Sequence, residues 1–377
     1  SFTTAFASYG GPAQNVVYAD DHGNIGYHAV GKIPIRGSIW QPAALRPVPV
    51  DALDLTHEWA GYIPFEQLPQ TFDPAGGIIA TANARVTPDD YQYPITLNWA
   101  APYRNERIWK VLGTKDHLTP ADMLALQMDV YSDVDHVIAQ RLAYAIDHSK
   151  TRDKRVHQAA DILRRWNGNV DANSAAPAIV DAARIALWPM LLNPHLGPNP
   201  GDSAKLYTWG EKSFAEEQLV MYTPARWLPP HYPNWDELLT AAVEKGLAEA
   251  HAPSNLTKWS YGKSHPVDIE HPIFSQSSLL QRLIGLRTGT GPQPQSGDTT
   301  TVKQVGRSFG PSERFTADLS DLDRSTLNLV LGESGNPASP WFMDQWSAWY
   351  KGTTFALPFS KSAVDSATRH TLTLTPQ

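Results

Sequence analysis

The sequence predicts an α+β fold in which strand-forming text at both ends brackets an inserted helical block. Three observations carry this. Apolar runs flank a polar turn between residues 15 and 33, which reads as a β-hairpin. Apolar residues then recur at three- and four-residue intervals from Met123 to Ala145, the period of an amphipathic helix. Strand text returns at Glu313–Leu319 and Thr326–Leu331. The expected layout is a β core over 1–118, a mainly helical insertion over 119–260, and a loop-rich return to the β core over 261–377.

In chain order, Val16, Val17 and Tyr18 lead into the turn Asp20-Asp21-His22-Gly23-Asn24, and Ile25 to Ile33 return. Seven prolines between Pro34 and Pro74 suggest an ordered wrap over a core. Behind Gly76 and Gly77, the apolar run Ile78-Ile79-Ala80 reads as a short buried strand. Thr119-Pro120-Ala121-Asp122 is a helix start, with Thr119 as N-cap and Pro120 in the first turn. One helix is expected over 120–147, two more near 151–166 and 174–192, and another over 235–250. A Pro/Gly linker spans 193–202. Between 252 and 310 the text is mostly loop, with one short helix near Ser277–Leu286. A helix around Trp341–Tyr350 and a final strand, His370–Leu374, close the chain.

Composition bounds the function. Apolar residues make up 42% and charged residues 18%, which is ordinary for a globular protein and too apolar for disorder. Thirty-one basic and 38 acidic residues give a formal net charge of -7 with no runs, which argues against nucleic acid or an anionic membrane as partner. No stretch approaches the roughly 18 apolar residues of a membrane span. Cysteine is absent, so disulfide and thiol chemistry are excluded.

The candidate chemistry sits at Asn83, flanked by the small residues Ala82 and Ala84, and at Tyr103-Arg104-Asn105-Glu106-Arg107 twenty residues on. An amide at the mouth of a cleft can donate to the negative charge that develops on a carbonyl oxygen during acyl transfer. On residue types alone, an Asn that caps a turn and arginines that pair at the surface fit as well. Asp129, Asp133 and His136 would share one face of a single helix and could ligate a metal, but read first as a solvated face. Asp20, Asp21 and Asn24 resemble half of a calcium loop without its later acidic ligand, and read as turn residues. Asp89 and Asp90 read as surface loop. Neither His-Glu-x-x-His nor Gly-x-Ser-x-Gly is present, and Gly332-Glu333-Ser334-Gly335 reads as a turn.

Several blocks together resemble a known family. They are Asn15–Asp20, Gly23–Tyr27, Gly31–Arg36, Trp59–Phe65, Ala80–Asn83, Tyr103–Ile108, Gly332–Pro337 and Asp344-Gln345. The text is similar to the C-terminal part of the β chain of penicillin acylases (penicillin amidases), which are N-terminal-nucleophile (Ntn) hydrolases. The resemblance implies part of an αββα sandwich and hydrolysis of an amide between an acyl group and an amine, of the β-lactam side-chain or acyl-homoserine lactone type. It implies a nucleophilic serine at the N-terminus of a β chain, with its own α-amino group as base. That group's pKa of about 7.7–8.0 suits the task at neutral pH.

By position, Asn83 matches the family's oxyanion-hole asparagine and Arg104 its active-site arginine, which the resemblance implies orients Asn83 or the amino terminus. Ser1 does not match the nucleophile, because the Asn15–Asp20 block lies well inside the family's β chain. The expected partners are therefore an acyl amide substrate and the remaining portion of the enzyme, its α chain and the N-terminal part of its β chain. The chain alone is expected to be inactive. A non-catalytic scaffold bound to a nucleophile-bearing chain is the other reading. No organic cofactor is expected. Structural calcium is common in the family, but its ligands cannot be placed here, since no carboxylate stands near Pro94. The resemblance also implies a periplasmic or secreted enzyme.

Overall fold

The computed structural model describes residues 2–36, 58–197, 212–276, 279, 282–283 and 285–375. The described residues fall into two compact units. One runs to Gly113 and takes in Lys212 and Ser213; the other comprises the remaining described residues from Thr114 onward. Ser1, residues 37–57 of the proline-rich stretch, 198–202 of the expected linker and half of the short helix expected near Ser277–Leu286 lie outside the described residues.

In the first unit, a one-turn helix α1 (Phe2–Ala5) precedes strands β1 (Gln14–Ala19) and β2 (Ile25–Val30). They pair antiparallel with Val16 opposite His28 and Tyr18 opposite Gly26, the expected hairpin. The turn is built around Asp20, whose carboxylate accepts from Asn24 N and Nδ2, His22 N and Tyr18 Oη at 2.8–3.0 Å. These bonds, the Asn24 amide foremost, hold its pKa down to about 2. β2 is the central strand of a three-stranded sheet, between β1 and β5 (Gln70–Phe72), and is buried from Gly26 to Val30. Strands β3 (Pro34–Arg36) and β4 (Trp59–Tyr62) form a separate ribbon. The described part of the proline-punctuated wrap thus contributes three short strands; β3 begins at Pro34, while β4 and β5 end two residues before Pro64 and Pro74, where ladder bonding stops.

One expectation fails here. Ile78-Ile79-Ala80 is half-buried coil rather than a strand. An apolar run this short does not carry its own ladder partners, and among the described residues none pairs with it. The Tyr103–Arg107 text, in contrast, opens helix α2 (Tyr103–Leu112), entered through Pro102.

The second unit is built on helices. α3 (Pro120–Gln127) starts at a capping box in which Thr119 and Asp122 exchange side-chain and backbone bonds, as the sequence indicates. The single helix expected over 120–147 is broken, however, and α4 spans Asp133–His148. Between them Tyr131 forms a β-bridge with Asn169, Val170 N bonds Val130 O, and Ser132 N bonds Gly168 O. Asp129 accepts from Tyr131 N, and Ser132 caps α4 by accepting from Asp135 N. Local side-chain acceptors thus replace the helical ladder, which the apolar period does not register. Asp129 consequently lies outside α4 and shares no helix face with Asp133 and His136; His136 Nδ1 lies 2.9 Å from Tyr131 Oη.

α5 (Lys154–Arg164), α6 (Ala176–Leu192) and α8 (Trp235–Glu249) close the helical core, with α7 (Lys212–Tyr222) between the last two in sequence. Gly246 of α8 lies against the Ala182 backbone of α6, where any Cβ would collide. A short helix α9 spans Tyr261–Ser264. Strands β6 (Glu313–Thr316), β7 (Thr326–Leu329) and β8 (Phe355–Ala356) form an antiparallel sheet. α10 (Trp346–Lys351) packs there through Trp346 and Trp349 onto Val267 and Val305. α11 (Lys361–Ala367) was not signalled by the sequence. His370–Leu374 is exposed coil rather than a strand, since no described segment pairs with it. The α+β class stands.

Candidate active site

Asn83 lies in the segment that follows Ile78-Ile79-Ala80. Its neighbours Ala82 and Ala84 are buried while Asn83 itself is exposed. Its backbone is left-handed, with φ 64°, a conformation that asparagine tolerates better than other side-chain-bearing residues. Buried alanines on either side anchor the strained residue, and Ala100 N bonds its carbonyl at 3.2 Å.

Helix α2 supplies the partner. Arg104, in its first turn, donates from Nη2 to Asn83 Oδ1 at 3.0 Å. A guanidinium only donates, so the carboxamide must turn its oxygen to Arg104 and its NH2 elsewhere. Among the described residues that NH2 has no acceptor. Burial pushes the Arg104 pKa down, yet a guanidinium keeps its charge at neutral pH. Arg104 thereby both aims the amide and polarises it. The structure brings together the two residues singled out in the sequence, 21 positions apart. Arg107 lies one turn further along α2, and Asp89 pairs with Arg85 at 2.8 Å.

A cavity of about 440 Å³ opens beside this segment. Its wall includes Ile78, Ile79, Thr81, Val86 and Trp109, with Ala84 and Asn105, the chain neighbours of Asn83 and Arg104. At one side Tyr27 Oη donates to Asn15 Oδ1 at 2.6 Å, and Asn15 Nδ2 donates to Thr81 Oγ1 at 3.3 Å. Burial pushes the Tyr27 phenol up to about 12, so it stays a donor. Sequence reasoning missed this chain of bonds. Its trace in the sequence was slight: Asn15 and Tyr27 stand in strands that also carry the polar Gln14 and His28.

One group of three potential metal ligands stands among the described residues, Asp20, Asp21 and His22. Both Asp20 oxygens already accept two bonds each, and His22 Nδ1 faces Asp21 Oδ1 at 2.8 Å. Calcium takes six to eight oxygen ligands, and this exposed turn does not fit it.

A model of the penicillin amidase family matches residues 1–366. The chain belongs to the penicillin amidase family. Among its relatives, penicillin acylase 2 proenzyme of Pseudomonas sp. (strain SE83) is 30% identical over 352 residues, covering 89% of this chain and 42% of that protein. Acyl-homoserine lactone acylase QuiP of Pseudomonas aeruginosa is 27% identical, covering 96% of this chain and 46% of that protein. The chain thus spans less than half the length of these relatives. Among solved structures, a thermostable penicillin G acylase from Alcaligenes faecalis aligns over 100% of this chain and 70% of its own, with a TM-score of 0.66 and 17% identity. That likeness is one of fold, and agrees with the α+β class expected from the sequence. Family members bearing these names are acylases. No helix among the described residues is long and apolar enough to cross a membrane.

Proposed function

We propose that this chain is the C-terminal portion of an amide hydrolase that cleaves the bond between an acyl group and an amine. The observation that carries the reading is the Arg104–Asn83 hydrogen bond, which leaves the Asn83 NH2 as a donor of fixed orientation. In the proposed reaction a serine at the N-terminus of the β chain, outside this chain, attacks the substrate carbonyl, with its α-amino group taking the proton. Asn83 Nδ2 donates to the oxyanion of the tetrahedral intermediate. Collapse expels the amine, and water hydrolyses the acyl-enzyme past the same donor. Arg104 acts through Asn83 and is a positioning residue. The chemistry needs no organic cofactor, because nucleophile, base and oxyanion donor are protein groups. The names of the relatives support β-lactam side chains or acyl-homoserine lactones as substrates, and a periplasmic or secreted location fits the same family.

The test is Asn83→Ala in the complete enzyme. An oxyanion donor strengthens its bond only in the transition state, so kcat should fall by about 10²–10³ with KM and thermal stability nearly unchanged. A turn-capping Asn predicts the reverse, a stability loss of about 1 kcal/mol with turnover kept. Turnover preserved to within a few-fold would refute the assignment and favour a scaffold.

A further inference from the structure

The segment that leads into Asn83 has little regular structure to hold it. Residues 78–82 lie in no helix or strand, and among the described residues they make no backbone hydrogen bond. Asn83 nevertheless keeps a left-handed backbone, φ 64°, a strain that persists only where the surroundings impose it. On its C-terminal side the segment is fixed by Ala100 N and Arg104, which bond Asn83 itself. The N-terminal side is reached from the β1–β2–β5 sheet. Register sets Tyr27 opposite both Val17 and Thr71, and Asn15 opposite Ala29, so alternation brings Asn15, Tyr27 and Thr71 to one face. Tyr27, Thr71 and Thr81 all line the cavity beside Asn83. Asn15 and Tyr27 are diagonal neighbours across β1 and β2, a separation that a tyrosine side chain spans. Tyr27, only 8% exposed, donates from Oη to Asn15 Oδ1 at 2.6 Å. Asn15 Nδ2 donates on to Thr81 Oγ1 at 3.3 Å, two residues before Asn83.

We propose that Tyr27, Asn15 and Thr81 are positioning residues for the oxyanion donor: the sheet grips Thr81 through two side-chain hydrogen bonds and so fixes where the Asn83 amide stands. This rests on the reading of Asn83 given above. Asn15 suits the joint, because a carboxamide accepts on one atom and donates on the other, and one side chain can thus link two hydroxyls. Only Ala82, itself buried, separates Thr81 from Asn83, so a shift of Thr81 is passed on to the amide. Catalytic groups need to be held within about 0.5 Å of their working geometry, and a coil segment without ladder bonds does not supply that by itself. Arg104 sets the direction of the carboxamide, and the Tyr27–Asn15–Thr81 chain sets its place.

Steady-state kinetics of the complete enzyme test the chain of bonds, in the wild-type and in the Asn83→Ala background. Tyr27→Phe removes only the donor and Thr81→Val only the hydroxyl. Each should lower kcat about three- to tenfold, the worth of one neutral hydrogen bond, with KM nearly unchanged. Thr81→Ser, which restores the hydroxyl, should recover most of the loss. In the Asn83→Ala background neither variant should cost anything further, because the group they act through is gone. A purely structural role would instead lower thermal stability and leave kcat intact, or slow both backgrounds alike. If Tyr27→Phe fails to fold, Thr81→Val, at a half-buried position, decides the matter. Wild-type kcat in both variants, or an undiminished loss in the Asn83→Ala background, overturns the proposal and leaves Asn83 as the oxyanion donor. Turnover that survives Asn83→Ala itself overturns the reading of the site, and this proposal with it.

Discussion

Asn83 shows how far a single residue can be read from sequence. Its small neighbours marked it as a side chain with room to act, and the structure finds those neighbours buried. Its left-handed φ was not legible, and an Arg104 contact across 21 positions was implied only by the resemblance, because both depend on where helix α2 brings the chain back. The buried strand proposed just before it was wrong for a similar reason: three apolar residues specify burial but not a pairing partner. If Arg104 works by aiming Asn83, the two side chains form one unit. Arg104→Ala in the complete enzyme should then lower kcat by about 10–100-fold, the cost of one charge-assisted hydrogen bond. The double variant should be no slower than Asn83→Ala alone. Additive losses would show that Arg104 acts on the substrate or another group.

At the scale of elements, local rules read best where the signal was itself local. The β1–β2 hairpin follows from its turn, and α3 from its capping box. The break between α3 and α4 is made by partners at 168–170, far along the chain, and so escaped the periodicity. The same helices enclose a charged cluster whose members were invisible as a set. Arg184 of α6 donates to Asp135 of α4 and to Glu216 of α7, both at 2.6 Å. Nearby, burial and then the Asp135 charge push Asp298 up from 3.8 to about 7, against the bonds it accepts from Thr300. A carboxyl whose folded pKa is raised stabilises the fold below its unfolded pKa, and loses that contribution as pH climbs through the folded value. Stability of the second unit should therefore decline between about pH 4 and about pH 7. Asp298→Asn, neutral throughout, should flatten that slope in denaturant titrations at stepped pH; an unchanged slope would show that Asp298 is ionised in the folded state.

For the whole molecule, the first unit is conspicuous for what it leaves uncovered. Val17, Trp59 and Phe72, on three of its strands, are each more than half exposed, at 60%, 57% and 56%, and Trp109 of α2 is exposed as well. Val17 and Phe72 face opposite sides of the β1–β2–β5 sheet and Trp59 lies on the separate ribbon, so several faces and edges of the unit present apolar side chains that another segment can cover. A chain spanning less than half of its relatives has such a segment to expect. Sedimentation of the chain by itself should show self-association that is suppressed when the remainder of the enzyme is supplied. A stable monomer at every concentration would contradict this. The central claim, that the nucleophile lies in that remainder, is tested most directly by assaying a chromogenic acyl anilide with the isolated chain and with the chain joined to the serine-bearing portion. The account predicts no turnover in the first case and turnover in the second. Turnover by the isolated chain that disappears in Ser1→Ala would contradict it.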